Sequence, residues 1–130
     1  DGVPFVMVGR HPDERVRYVD IDNVAAARMA VDHLARLGHR RIGIVTGPLN
    51  MPGGADRLEG YRKAVAAHRL PEDDRLVFEG DFTEASGMAA ARRLLAQQAT
   101  AIFAANDIMA VGALKVIRET GLRVPQDVAL

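Results

Sequence analysis

With 130 residues, 48% of them hydrophobic and 26% charged, the chain is long and apolar enough for one buried core, unlike a disordered tail or a disulfide-stapled miniprotein. Seventeen basic residues balance seventeen acidic ones, so net charge gives no reason for this chain to grip a phosphate backbone or an anionic membrane. Cysteine is absent, which removes disulfides and thiolate chemistry, and no apolar run approaches the roughly 20 residues of a membrane span.

Short β-rich runs alternate with longer helical ones, the pattern of βα units around a parallel sheet. Pro4 to Val8 reads as a buried strand and Arg17 to Ile21 as a short one, after a polar turn at His11-Pro12-Asp13-Glu14. Asn23 is expected to cap a helix whose Val24, Ala27, Val31 and Leu34 share one face and which stops at Gly38. Arg41 to Thr46 reads as a central strand, and the loop Gly47 to Gly54 leads into a helix through Leu58, Tyr61 and Val65 to His68. Leu76 to Glu79 is the next strand, followed by a turn at Gly80 to Thr83 and a helix from Glu84 to Gln97. Ala101 to Ala104 is another strand, Asn106-Asp107 opens a last helix ending at Gly121, and Val128 to Leu130 begins a strand. That unfinished strand is read as the mark of a piece cut from a longer polypeptide, and the opening on Asp1-Gly2, in place of a charged-then-apolar leader, as soluble and untargeted.

In open α/β sheets ligands sit beyond the carboxyl ends of the strands, where helix N-termini offer unpaired N–H groups. The residues placed there are Thr46, Gly47 and Asn50 with Arg57 one turn on, then Asp81 and Phe82, then Asn106 and Asp107. Together they offer an aromatic face and planar polar groups able to pair with neighbouring hydroxyls, features suited to a polyol. Each also has a plainer reading. Phe82 could be a hydrophobic staple over the next helix, Asn106 or Asp107 an N-cap, and Arg57 a solvated residue paired with Glu59 or Asp56.

Other chemistries find less support. Ser86, the only serine, lies in a helical pattern and not on the strand-to-helix elbow of a hydrolase nucleophile. The loop Gly47 to Gly54 lacks the Gly-Lys-Ser/Thr ending of a phosphate loop and carries Pro48 and Pro52 where free N–H groups would be wanted. His33 and His39 straddle a helix end and make a poor metal clamp, Asp20 and Asp22 lack an acid/base partner, and Gly38-His39-Arg40-Arg41 is a weak nucleic-acid signal. No metal or cofactor is expected, and an enzyme is disfavoured. The last helix, with Ile108, Met109, Val111, Leu114, Val116 and Ile117, leaves almost no polar face, so a partner surface or another part of the same chain should cover it. The helix from Glu84 carries small apolar residues that permit close packing.

Leu37-Gly38-His39-Arg40-Arg41-Ile42, Gly47-Pro48, Asp56 to Arg62, Gly80-Asp81-Phe82, Thr100 to Asp107 and Gly121 to Leu130 together resemble the effector-binding core of the LacI/GalR family of bacterial transcription regulators, in order and over nearly the whole chain. The resemblance implies a type I periplasmic-binding-protein-like fold, a Rossmann-like three-layer αβα sheet. Residues 1–19 would close an N-terminal subdomain and its crossover, and residues 20–130 would form most of a C-terminal one. It implies a small-molecule effector, a sugar or sugar derivative before a purine, held by Arg57 and Asn106 through hydroxyls and by Phe82 through stacking. It further implies a cytoplasmic homodimer, with Ala85, Met88, Ile108, Val111 and Leu114 at the interface. Operator DNA would be bound only through a helix-turn-helix headpiece outside these residues. Val8-Gly9-Arg10 departs from the acidic ligand residue that some members carry there. A periplasmic sugar-binding protein of a transport system is the competing reading.

Overall fold

The computed structural model describes residues 22–130 together with the backbone of Met7–Val8 and Tyr18–Val19. These last two pairs are short strands, β1 (Met7–Val8) and β2 (Tyr18–Val19), that pair in parallel, Met7 beside Tyr18 and Val8 beside Val19. The rest of the two strands predicted over 4–8 and 17–21, the polar turn at 11–14, and Gly9, Arg10 and Asp20 lie outside the described residues.

Beyond them the chain runs α1 (Asn23–Arg36), β3 (Ile42–Thr46), α2 (Pro52–Ala67), β4 (Val77–Glu79), α3 (Glu84–Ala96), β5 (Ala101–Ala104) and α4 (Asp107–Glu119). The three strands form a parallel sheet in the order β4-β3-β5, with Ile44 beside Val77 and Ile42 beside Ala101. Ala129 bridges to Ala101 in parallel on the free side of β5, so the strand expected at 128–130 is present as a single bridge. β3 is central and buried along its whole length, as a strand covered on both faces must be.

Alternation along β3 sorts the two faces. Ile42 and Ile44 pack with Val31, Leu58, Tyr61 and Val65 of α1 and α2, while Val45 packs with Leu94, Met109 and Ile117 of α3 and α4. The expected three-layer arrangement is therefore formed. Each helix pair packs through a glycine. A Cβ on Gly60 would lie 2.3 Å from the Val24 carbonyl oxygen, and one on Gly87 would lie 2.1 Å from that of Met109. The amino end of β3 is tied by Arg41, whose guanidinium donates to the Gln97 carbonyl at 2.7 and 2.9 Å and pairs with Asp73 at 3.4 Å. Of the basic run 39–41, His39 bonds Thr100 at 2.9 Å, so two of its three side chains serve the fold.

Tyr61 is buried and donates its hydroxyl proton to the Ile42 carbonyl at 2.6 Å. Burial first, and the charge of Asp73 second, push its pKa up from 10.0 to about 12. A neutral acid held more tightly in the folded state contributes stability that is complete below pH 10 and disappears as pH rises toward 12. Tyr61→Phe should therefore cost about 1 kcal/mol in urea unfolding at neutral pH. The gap between wild type and variant should close as pH climbs through 10 to 12; a gap independent of pH would show that the phenol is not held this way.

Candidate functional site

The carboxyl ends of β3, β4 and β5 come together at one edge of the sheet, and each is followed within eight residues by the start of a helix. Backbone bonds lock the three ends to one another: Gly80 N–H donates to Thr46 O at 2.8 Å and Ala105 N–H to Val45 O at 3.0 Å. The loop after β3 is held by Glu79, which accepts from Leu49 N–H at 2.9 Å, while Met51 N–H donates to Pro48 O at 3.1 Å. Those two N–H groups are thus spoken for, which fits the poor phosphate-loop match of this segment.

Phe82 follows β4 with φ +69°, in the left-handed region that a bulky residue adopts only when its surroundings impose it. Its ring lies against the Gly47 backbone: a Cβ on Gly47 would fall 2.4 Å from Cζ and 2.5 Å from Cε1. Gly47 is therefore the floor beneath the ring, and Phe82 is half-buried, packed against the α3–α4 side of the core. The turn is fastened by Asp81, whose Oδ1 accepts from Thr83 N–H at 3.1 Å and from Thr83 Oγ1 at 2.5 Å. These bonds from Thr83 hold the Asp81 carboxyl below the usual carboxylate range.

Asn106 caps α4, its Oδ1 accepting from Met109 N–H at 2.9 Å, so the plainer reading of this residue is correct as far as the carbonyl oxygen is concerned. The amide Nδ2 makes no hydrogen bond among the described residues. Arg57 stands in the second turn of α2, with Nη1 3.3 Å from the position a Cβ on Gly53 would take. Glu59, one of its expected partners, pairs with Lys63 at 3.3 Å, and Arg57 makes no ion pair among the described residues. Nearby is Asn23, only 6% exposed, its Nδ2 3.9 Å from the same Gly53 position.

Two expectations need correction. Asp22, not Asn23, caps α1, accepting from Ala25 N–H at 3.0 Å, because its carboxylate stands one residue before the first helical turn. The helix after the 47–54 loop begins at Pro52, whose fixed φ suits a first helical position, so Gly53 and Gly54 lie inside it. Sequence reasoning also passed over Thr83 and Ser86 as site residues. Asp-x-Thr-x-x-Ser across a strand-to-helix junction, an Asx turn followed by a Thr cap, was the available signal.

Of the residues expected at an interface, Met88 packs against the buried Ala91, Ala113 and Val116 where α3 meets α4, and Ala85, Ile108 and Val111 are more open. Ile108 is 56% and Val111 46% exposed, Ala85 is exposed, and Met88 and Leu114 are half-buried. The inward side of α4, with Met109, Gly112, Ala113, Val116 and Ile117, is buried against α3 and the sheet. An apolar groove of about 510 Å³ runs along the flank of β5 between α1 and α4, lined by Leu34, Phe103, Val111, Leu114 and Leu130 among others. Among the described residues no group of three or more His, Cys, Asp or Glu could hold a metal ion, and no helix is long and apolar enough to cross a membrane.

With this geometry in hand, residues 31–130 match the sequence profile of the periplasmic binding protein-like domain. The chain belongs to the periplasmic binding protein-like family. Its relatives are LacI-type regulators: it is 49% identical over 134 residues to the HTH-type transcriptional regulator CelR of Thermobifida fusca, covering 99% of this chain and 39% of that protein. It is 39% identical over 130 residues to the HTH-type transcriptional repressor CytR of Escherichia coli K12, covering 98% of this chain and 38% of that protein. A solved structure titled as a transcriptional regulator CelR-cellobiose complex superposes with TM-score 0.89 at 50% identity, covering 98% of this chain and 41% of that one. The chain thus spans about two fifths of the length of these proteins. The resemblance to the LacI/GalR effector core is borne out, the relatives are regulators and not enzymes, and a transport protein is not favoured.

Proposed function

We propose that this domain is the effector-binding and dimerising part of a LacI-type transcriptional regulator, without enzymatic activity, and that its effector is a sugar. The observation that carries the reading is Phe82, held at φ +69° with its ring over Gly47 at the edge where Arg57 and Asn106 also stand. A ring face stacks on the C–H face of a pyranose, the Arg57 guanidinium donates to paired hydroxyls, and the Asn106 amide N–H donates to a third. Cellobiose is the first sugar to try, because the CelR structure that superposes on this chain is a cellobiose complex. Residues 1–19 would belong to the facing N-terminal subdomain, residues 20–130 to the C-terminal one, and the cleft between them would close on the sugar. Operator DNA would be bound by a headpiece outside this chain, in the cytoplasm, with effector and DNA coupled through the two cleft states.

In the full-length protein, the anisotropy of labelled operator DNA should change its midpoint when cellobiose is added and stay unchanged with a nucleoside. A response to the nucleoside alone would replace the sugar by a base. No response to either would remove the effector role. The second subunit would cover the exposed apolar side of α4. Val111→Glu, which places a charge in that contact, should shift the sedimentation of the full-length protein from dimer toward monomer. A wild type that sediments as a monomer would end the interface assignment.

A further inference from the structure

Phe82 does not hold its own conformation. A bulky side chain at φ +69° is at a backbone minimum that glycine occupies freely and phenylalanine does not, so something must keep it there. The neighbours that do so form a closed ring of hydrogen bonds. Asp81 Oδ1 accepts from Thr83 N–H at 3.1 Å and from the Thr83 hydroxyl at 2.5 Å. Thr83 Oγ1 in turn accepts from Ser86 N–H at 3.1 Å. Ser86 Oγ donates to Thr83 O at 2.9 Å and accepts from Asp81 N–H at 3.2 Å, which returns the circuit to its start. Both hydroxyls of the circuit donate once and accept once. The circuit joins the backbone of residues 81 and 83 from both sides and leaves the side chain of residue 82 as the only one in the turn with no polar task.

We propose that Asp81, Thr83 and Ser86 are positioning residues for effector binding: their hydrogen-bond circuit forces Phe82 into the left-handed conformation and so lays its ring over Gly47. The proposal deepens the reading of Phe82 as the stacking face and rests on it. Gly47 completes the arrangement, because any side chain there would occupy the volume of the ring. Without the circuit, residue 82 relaxes to negative φ and the ring swings off its floor, so a sugar arriving at the site must first rebuild the platform and binds more weakly in proportion. None of the three residues needs to touch the sugar.

The test uses the full-length protein, cellobiose as the probe, and four variants: Asp81→Ala, Asp81→Asn, Phe82→Ala and the Asp81→Ala/Phe82→Ala double. By calorimetry, Asp81→Ala should weaken binding roughly tenfold. Asp81→Asn, whose Oδ1 still accepts from both Thr83 groups, should restore most of that loss. The double variant should bind no more weakly than Phe82→Ala alone, because Asp81 acts only through the ring. Losses that add in the double variant, or an Asp81→Ala that binds like wild type while Phe82→Ala is weakened, would overturn the positioning role and leave the stacking reading standing. Wild-type affinity in Phe82→Ala would overturn both. A second readout needs no ligand: the ring-current shift of the Gly47 α-protons in the nuclear magnetic resonance spectrum should collapse in Asp81→Ala and persist in Asp81→Asn. A shift that survives in Asp81→Ala would overturn the proposal whatever the effector is.

Discussion

Gly87→Val is expected to destabilise the domain by about 3 kcal/mol, and Gly87→Ala by about 2 kcal/mol, in urea unfolding of the full-length protein. A Cβ at Gly87 would lie 2.1 Å from the Met109 carbonyl oxygen and 2.7 Å from its Cα. Both are backbone atoms of α4, so no rotamer change can make room and the two helices must separate. The second contact between them is of the same kind, a Gly112 Cβ falling 2.2 Å from the Glu84 carbonyl oxygen. An exposed helical glycine behaves in the opposite way, since alanine there gains about 1 kcal/mol in helix propensity. The sign of the Gly87→Ala result therefore decides the matter: a stabilised variant would show that α3 and α4 do not approach this closely. The consequence reaches the site, because α3 begins just after Phe82 and α4 just after Asn106. Helices that separate carry those two residues apart, so the variant should lose effector affinity as well as stability.

The largest effects on ligand binding are expected from the three residues at the strand ends. Arg57→Ala removes a charged donor from a desolvated contact, worth about 1.5–3 kcal/mol, or roughly tenfold to a hundredfold in affinity. Phe82→Ala removes the stacking face and should cost about tenfold, mostly in dissociation rate. Asn106 has two tasks that can be separated. Its Oδ1 accepts from Met109 N–H as the cap of α4, and only its Nδ2 is available to a hydroxyl. Asn106→Ala should therefore lose about 1 kcal/mol of stability together with affinity. Asn106→Asp keeps a capping oxygen and should hold stability while losing the amide donor and with it effector affinity. Equal affinity in Asn106→Asp and wild type would confine this residue to the cap.

The fold was legible because the signals for a parallel αβα sheet are strong and local. Ile42, Ile44 and Val45 in an unbroken apolar run mark a strand buried on both faces, and strands alternating with long amphipathic helices leave few other architectures. Glycine marks two of the four helix ends in the sequence, and the other two read one residue long, to His68 and Gln97. Gly38 and Gly121 end α1 and α4 at φ +98° and +80°, and the same turn ends α2 and α3 with Arg69 at +54° and Gln98 at +63°. In all four the second residue past the last turn donates back to a carbonyl five positions earlier, as Leu70 N–H does to Val65 O and Ala99 N–H to Leu94 O. Arginine and glutamine carry no mark of the left-handed region, so α3 reads one residue too long from sequence. The α1 cap slipped by one position for a related reason: Asp22 and Asn23 are both good caps, and only the direction of the chain entering the helix selects between them.

The site was legible as a set and not as an arrangement. The rule that ligands gather beyond the strand ends picked out a wider set, from Thr46 to Asp107, and the family resemblance singled out Arg57, Phe82 and Asn106 within it. Neither could show that Phe82 sits in the left-handed region, that the ring fills the space a Gly47 side chain would take, or that Asn106 Oδ1 is committed to the cap of α4. The turn bonds within residues 81–86 and the bond from Met109 to Asn106 are local geometry that residue type alone does not disclose, and the contact of Phe82 with Gly47 joins positions far apart in the chain. The small residues of α3 and α4 were legible in outline. The alanines of α3 read as residues that permit close packing, and Ala91, Ala113 and Val116 are indeed buried together where α3 meets α4; the apolar run of α4 read as needing cover all round, without showing which of its positions stay exposed.

The central claim is that a sugar binds where the ends of β3, β4 and β5 meet. The most direct measurement is a crystal structure of the full-length protein grown with cellobiose. The account predicts a pyranose ring stacked on Phe82, with Arg57 and Asn106 Nδ2 within about 2.7–3.2 Å of its hydroxyls. A sugar held elsewhere, with Phe82 still packed on Gly47 and untouched by ligand, would contradict it.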